Sequence, residues 1–155
     1  ETTDRSATVT LTPDASSDLT AIVISVTQEG AEETTPDVGD GTESNPYSVA
    51  QVITTQDKTT AWVHGYIIGY VVNGPKLGTD IKSAVDTNIM LAESMDETDV
   101  TKMLPVALPT GTVRNELNLK DNPENLGKKI KFPGSLEAYF GVPGLKNVKE
   151  YIFLD

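Results

Sequence analysis

The stretch from residue 62 to residue 72 constrains the fold more than any other part of the sequence. It holds the only tryptophan, the only histidine and two of the five tyrosines, and it is the longest run of β-favouring residues. Both of its alternating faces are largely apolar, so neither is expected to face bulk water. A strand of this length must coil or bend, and Gly65 and Gly69 predict a bulge or a sharp bend. The stretch therefore predicts the first strand of a small closed barrel.

Strand alternation assigns the side chains of this stretch to a glycine face and an aromatic face. The aromatic face carries Trp62, His64, Tyr66, Ile68, Tyr70 and Val72. A short helix is predicted over residues 47–56, because Ser48 and Gln51 match the capping-box pattern. Its apolar stripe needs a surface on which to pack. We expect the helix to lie on the aromatic face.

The remaining elements define the order of strands and helices. Short alternating runs predict strands over residues 88–92, 103–108, 128–138 and 145–154, with a second helix over residues 112–119. A helix between the third and fourth of five strands is the order of an OB-fold. We therefore predict a mainly β protein with a five-stranded OB-fold barrel, a short N-terminal helix and a helix between strands 3 and 4.

The N-terminal part of the chain is predicted to be a separate region. Residues 5–28 alternate as two strands around a turn at residues 13–18, which predicts a β-hairpin. A lone hairpin is marginal in water, so it must pack on another element. Residues 31–46 are acidic and rich in turn formers, which favours a solvated linker over a calcium site. The predicted domains are therefore 1–30, 31–46 and 47–155.

Charge is distributed unevenly along the chain. The formal net charge is −11, of which residues 1–46 carry −9 and residues 47–155 carry −2. The predicted barrel is thus close to neutral, which neither excludes nucleic acid nor supplies a basic stripe for it.

The absence of cysteine excludes disulfides, thiol catalysis and Cys-based zinc sites. No apolar run approaches the length of a membrane helix, about 18 residues, and a chain without an initial methionine or signal peptide is expected to be a trimmed or mature fragment.

Two segments resemble known bacterial families. Residues 41–155 are similar to a Bacteroidetes family of secreted OB-fold domains of unknown function, and the matching blocks include residues 45–51, 61–70, 125–129 and 136–147. Residues 1–30 resemble the closing strands of the Bacteroidetes immunoglobulin-like sandwich called BACON. The resemblance implies an exported protein, which is periplasmic, extracellular or an outer-membrane lipoprotein, with a neighbouring Ig-like domain. It implies no activity, although distant relatives of the barrel accompany secreted nucleases.

No arrangement of residues in the sequence predicts catalysis. His64 is the sole histidine, and the chain has no Gly-x-Ser-x-Gly elbow, no phosphate loop and no dinucleotide fingerprint. We therefore predict a protein that is not an enzyme and that holds no metal and no cofactor.

Aromatic residues are the better candidates for ligand binding. Tyr139 and Phe140 lie at the hairpin between predicted strands 4 and 5, which is one of the ligand-binding loops of OB-folds. On the aromatic face, Trp62, Tyr66 and Tyr70 form either a stacking platform at the surface or part of the core under the first helix. His64 on the same face is expected to be a packed or rim histidine rather than a catalytic one, and it is a ligand-binding candidate with Tyr66 and Tyr70.

Lysines provide a second set of candidates, Lys128, Lys129, Lys131 and Lys146. The first three form the only basic cluster, which is either a phosphate contact or a solvated strand edge. The leading prediction is a non-catalytic binding or adaptor module of an exported cell-envelope protein, which contacts a glycan or a protein through the strand 4–5 hairpin and the barrel face. The alternative is a single-stranded nucleic-acid-binding OB-fold that is accessory to a secreted nuclease.

Overall fold

The computed structural model describes residues 5–12, 22–28, 38–74 and 76–154. The chain divides into two compact units, residues 1–35 and residues 36–155. In the first unit, β1 (Arg5–Leu11) pairs antiparallel with β2 (Ile22–Gln28), which confirms the predicted hairpin. Its described apolar side chains, such as Val9 and Ile24, are about half exposed. The predicted turn at residues 13–18 and the first part of the predicted linker (31–46), residues 31–37, lie outside the described residues.

The second unit is mainly β, as predicted. Its described residues form two short α-helices, α1 (Val49–Thr54) and α2 (Thr112–Leu117). The strands are β3 (Thr60–Val71), β4 (Leu77–Gly78), β5 (Asn88–Ala92), β6 (Leu104–Ala107), β7 (Lys129–Leu136), β8 (Leu145–Lys146) and β9 (Ile152–Leu154). Both helices lie where the sequence predicted them, although each is shorter than its predicted range, and the capping box of Ser48 and Gln51 is confirmed.

The strands of the second unit form one seven-stranded sheet among the residues that are described, in the order β4-β3-β5-β6-β8-β7-β9. β7 pairs in addition with β3 over the register from Thr60–Ser135 to Tyr66–Lys129. The pairings β3–β5, β5–β6, β6–β8, β8–β7 and β7–β3 therefore return to the strand from which they start. Only the contact of β6 with β8 is parallel in this circuit.

The predicted assignment of β3 side chains to two faces is wrong beyond Ile68. The register of β3 against β5 shifts between Ile67 and Gly69, so the alternation restarts after this bulge. As a result Tyr70, which is 3% exposed, joins the main core with Val63, whereas Val71 packs in a second cluster. A side chain at Gly69 would collide with the carbonyl oxygen of Gly78 in β4, so only glycine allows the two strands this approach.

The predicted position of the first helix is also wrong. Val49 and Val52 of α1 are completely buried in the same cluster as Val63, which lies on the glycine face of β3. A Cβ atom at Gly65 would lie 3.0 Å from the Val49 Cγ2 atom, so the missing side chain provides the space that α1 uses. The helix therefore covers the glycine face, and the aromatic side chains at the start of β3 stay outside the main core.

The last predicted strand, over residues 145–154, is interrupted. β8 and β9 both pair with β7, but β7 advances four residues from Ser135 to Lys131 while the opposite segment advances six residues from Lys146 to Ile152. Asn147 has a positive φ of 56° within this interruption, and Val148 turns into the core with 1% exposure. Burial of Val148 thus takes precedence over continuous strand pairing.

Candidate functional site: an aromatic and basic face

The outer surface of β3 and β7 is the most chemically distinctive surface of the second unit. β7 alternates between buried and half-buried residues, so its even-numbered side chains face the core and its odd-numbered side chains face outward. Their partners across the strand pair face the same way. The outward pairs are Thr60–Ser135, Trp62–Pro133, His64–Lys131 and Tyr66–Lys129. We call this surface the β3–β7 face.

Two lysines of this face lie over aromatic rings. The Lys131 Nζ atom is 5.6 Å from the centroid of the Trp62 ring, and the Lys129 Nζ atom is 5.5 Å from the centroid of the Tyr66 ring. Both distances are within the range of cation–π attraction. Each ammonium group is thereby held next to a half-buried ring, so that positive charge and aromatic surface alternate along the face.

A pocket of about 470 Å³ lies at the Tyr66 end of this face. Tyr66 and Phe153 line it together with Lys128 and Lys129, and Gly127 and Leu154 complete the lining. The Lys128 Nζ atom is 4.8 Å from the centroid of the Phe153 ring, and Phe153 is 36% exposed. This pocket, which we call the aromatic pocket, therefore combines two rings with two ammonium groups.

The turn before β7 positions Lys128. Gly127 has a positive φ of 85°, its N–H donates to the Ile67 carbonyl at 2.7 Å, and the Lys128 carbonyl accepts from the Ile67 N–H at 3.0 Å. The Lys128 ammonium donates to the Asn125 Oδ1 atom at 3.0 Å, and the buried Asn125 amide donates in turn to the Glu116 carbonyl at 2.7 Å. A glycine turn and a fixed amide thus hold the ammonium at the rim of the pocket.

An acidic loop contacts the middle of the face. The Lys131 ammonium donates to the Glu43 carbonyl oxygen at 2.8 Å, and the Glu43 carboxylate lies 4.0 Å from the same ammonium. Asp40 closes this loop by accepting the Thr42 N–H at 2.9 Å, and hydrogen bonds from Thr42 lower the pKa of Asp40 below its ordinary value. The loop therefore occupies one side of Lys131, while the ring of Trp62 occupies another.

The family described as "Domain of unknown function (DUF6359)" matches residues 47–154, which include β3, β7 and β9. The chain belongs to this family. It is also 36% identical over 104 residues to a protein of Bacillus subtilis (strain 168) that is named endonuclease YhcR. That similarity covers 67% of this chain but only 8% of the relative, so the chain spans a small part of the relative's length. No solved structure matches the chain.

The match confirms the predicted domain of unknown function in the C-terminal part of the chain. It does not extend to residues 1–30, so the resemblance of that segment to a BACON-type domain stays a prediction. Export and a Bacteroidetes origin stay predictions in the same way.

The structure separates the predicted aromatic candidates of this DUF6359 domain into three environments. Tyr66 is half-buried at the β3–β7 face, whereas Tyr70 lies in the core and its hydroxyl donates to the Asp80 carbonyl at 3.0 Å. His64, at 9% exposure, is buried between Trp62 and Tyr66 along the strand. Only Tyr66 of these three predicted residues presents a ring to the pocket.

The hairpin candidates Tyr139 and Phe140 make no ring contact with the lysine candidates Lys128, Lys129 and Lys131. The rings of Tyr139 and Phe140 are 4.3 Å apart, and Phe140 is 41% exposed with a positive φ of 54°. Burial raises the pKa of the Tyr139 hydroxyl above its ordinary value, and the charge of Arg114 opposes part of that rise. Gln56 fixes the end of this segment, because its side chain accepts the Gly144 N–H at 3.1 Å. Tyr139 thus contacts the hairpin itself, whereas Lys129 and Lys131 contact the rings of β3.

Lys146 lies in β8, in register with Ser135 at the other end of β7, and therefore does not join the aromatic pocket. Trp62 belongs to the predicted aromatic platform, whereas Phe153 is the residue of this surface that the sequence did not single out as a site candidate. An aromatic residue between apolar neighbours in a C-terminal strand does not by itself indicate a binding residue. The direction in which Phe153 faces depends on the interruption before β9, which the sequence does not predict.

Within the described ranges, no group of three or more His, Asp or Glu side chains is arranged to hold a metal ion. No helix in the same part of the chain is both long enough and apolar enough to cross a membrane.

Proposed function

We propose that this domain is a non-catalytic module that binds single-stranded nucleic acid on its β3–β7 face and accompanies a nuclease in an exported protein. The observation that carries the proposal is the alternation of rings and ammonium groups, in which Lys129 lies over Tyr66 and Lys131 lies over Trp62. Modules that bind single strands stack bases on aromatic side chains and neutralise the phosphates with lysine or arginine. The aromatic pocket offers both kinds of group to one nucleotide.

The fold is consistent with such a role. We propose that the circuit of strand pairs from β3 back to β3 is a closed OB-fold barrel, since α2 follows the third strand of the circuit and precedes the fourth. In that scheme the β3–β7 face belongs to the first and fourth strands, whereas OB-folds commonly bind oligonucleotides on the second and third strands. The proposed site is therefore an unusual surface of a common nucleic-acid-binding fold.

The similarity to a protein named endonuclease YhcR supports the proposal that this domain accompanies a nuclease in the same protein. Because the chain spans only 8% of that relative, the catalytic part of the relative need not correspond to this domain. The strong negative charge of the chain does not oppose the proposal, since residues 1–46 carry −9 of the total of −11.

The electrostatic part of the proposal is tested by titrating a labelled oligo(dT) of about fifteen nucleotides, near the upper end of known site sizes. The double variant Lys129→Ala/Lys131→Ala should bind more weakly, and its slope of log K against log salt should be shallower by about 1.4, at about 0.7 per lost phosphate contact. Lys82→Ala/Lys120→Ala removes the same charge at exposed positions elsewhere. Equal effects of the two double variants, or no binding of the unmodified chain at low salt, would refute the proposal.

The stacking part is tested separately with Tyr66→Leu. Loss of base stacking should weaken binding by about 1–3 kcal/mol, that is, from several-fold to more than a hundredfold, with an unchanged salt slope. Phe140→Leu removes an exposed ring from the hairpin and should leave the affinity for oligo(dT) unchanged.

A second candidate function is the contact with a glycan or a protein through the 139–144 hairpin. The exposed ring of Phe140, in tilted contact with the ring of Tyr139, favours it. A glycan array and a pull-down with the unmodified chain and with Phe140→Ala would test it, and identical binding profiles would contradict it.

A further inference from the structure

A second pocket lies at the opposite end of the β3–β7 face. It has a volume of about 520 Å³ and is lined by Thr60, Pro133, Ser135, Asn147, Lys149 and Glu150. Thr60 pairs with Ser135 at the end of the strand register, and the next outward pair is Trp62 with Pro133. The second pocket, which we call the polar pocket, therefore adjoins the part of the β3–β7 face where Lys131 lies over Trp62.

The chemistry of the polar pocket differs from that of the aromatic pocket. Asn147 adopts a left-handed backbone conformation, and its amide donates to the Ser135 hydroxyl at 3.1 Å and to the Glu137 carboxylate at 3.3 Å. Lys149 and Glu150 are exposed at its edge. The pocket thus offers a hydroxyl, an amide, a carboxylate and an ammonium group, which suit the polar edge of a base or a sugar and one phosphate.

The spacing of the two pockets restricts the ligand that can use both. Thr60 and Tyr66 are six residues apart in one strand, so the pockets are separated by about 20 Å at about 3.3 Å per residue. A single nucleotide can fill one pocket of several hundred Å³, but only an extended chain can reach both. Between the pockets such a chain would pass the Lys131 ammonium and the ring of Trp62.

Resting on the proposed function, we propose that the ligand is an extended single strand of at least about four nucleotides, that it spans the whole β3–β7 face, and that the polar pocket is its second subsite. The aromatic pocket stacks one nucleotide. The polar pocket holds another through Asn147 and Lys149. Because the second contact forms within one bound molecule, affinity increases with chain length until both pockets are filled.

A length series of oligo(dT), from about two to about eight nucleotides, tests this inference with the full chain of residues 1–155. The probe of binding is quenching of Trp62, the only tryptophan. The measured quantity is the ratio of the affinity for a hexanucleotide to the affinity for a dinucleotide. For the unmodified chain we expect this ratio to be at least about tenfold.

The variant Asn147→Gly/Lys149→Ala removes the polar contacts, and glycine at position 147 keeps the left-handed backbone conformation. It should reduce the affinity ratio to the small value that arises only because a longer oligonucleotide offers more positions to a single pocket. The control Lys82→Ala, which removes one exposed lysine elsewhere, should not change the ratio.

A ratio in the double variant equal to that of the unmodified chain, or an equal loss of affinity at every length, would overturn the second subsite. Absence of binding at every length by the unmodified chain would instead overturn the proposed function. Urea midpoints of both variants verify that the fold is intact.

Discussion

Replacement of Gln51 by alanine is the perturbation whose effect the structure defines best. The Gln51 Oε1 atom accepts the Ser48 N–H at 3.1 Å and the Gly39 N–H at 3.0 Å, and its Nε2 atom donates to the Gly39 carbonyl at 2.9 Å. One side chain therefore completes the capping box of α1 and also attaches the segment before it. These bonds are partly buried, so water does not fully replace them.

The expected cost follows from counting these bonds. Three hydrogen bonds at about 1 kcal/mol each, reduced for the partial exposure of Gln51, predict a loss of about 2–3 kcal/mol in the free energy of unfolding. Urea unfolding of the chain, followed by Trp62 fluorescence, measures this loss from the shift of the midpoint at constant m value.

Gln51→Glu is the matched control. A carboxylate keeps an acceptor for the two N–H donors but opposes the Gly39 carbonyl with a second acceptor, so this variant should be intermediate in stability. A loss below about 0.5 kcal/mol in Gln51→Ala, the range of an ordinary surface substitution, would refute the reasoning. A Gln51→Glu variant as stable as the unmodified chain would show that the bond to the Gly39 carbonyl contributes nothing.

Two further predictions concern local contacts. Gly69→Ala should destabilise the domain by about 1–3 kcal/mol, because its Cβ atom would collide with the Gly78 carbonyl, and by more than Gly74→Ala, where an added Cβ meets no atom within 4 Å; equal urea midpoints would contradict this. Hydrogen bonds from the side chain and the N–H of Thr59 lower the pKa of Asp57, so Thr59→Val should raise that pKa toward its ordinary value of 3.8 in an NMR titration. The lowered pKa of Asp57 adds stability above pH 3.8, and this stability is lost as the pH falls through the folded-state pKa. The free energy of unfolding of Thr59→Val should therefore decrease less in acid than that of the unmodified chain. An unchanged Asp57 titration in the variant would argue against the assignment.

Local structure could be predicted from the sequence wherever a few neighbouring residues decide the conformation. The capping box of Ser48 and Gln51, the hairpin of β1 and β2, and the alternation of β7 all depend on contacts close in sequence or on a period of two. The second role of Gln51, the attachment of Gly39, was not predictable, because nothing in the sequence between residues 39 and 51 indicates that the two approach each other.

The errors arise where distant segments compete for the same space. At the bulge between Ile67 and Gly69, β3 pairs with β5 and lies close to β4, and the shift in alternation exchanges the environments of Tyr70 and Val71. The predicted last strand is broken because burial of Val148 in the core takes precedence over pairing with β7. Neither cause is visible in the residues that were assigned wrongly.

The sequence by itself determined a mainly β protein with a charged N-terminal part, and it marked Tyr66 and the neighbouring lysines Lys128, Lys129 and Lys131 as separate candidates. Only the tertiary structure decided which of them meet. The antiparallel register of β3 and β7 places Lys131 over Trp62 and Lys129 over Tyr66, and the interrupted β9 brings Phe153 beside Lys128. The physical reason is that strand alternation fixes the side on which a residue lies, whereas the residue that it faces depends on pairing across more than sixty positions of the chain, as between His64 and Lys131.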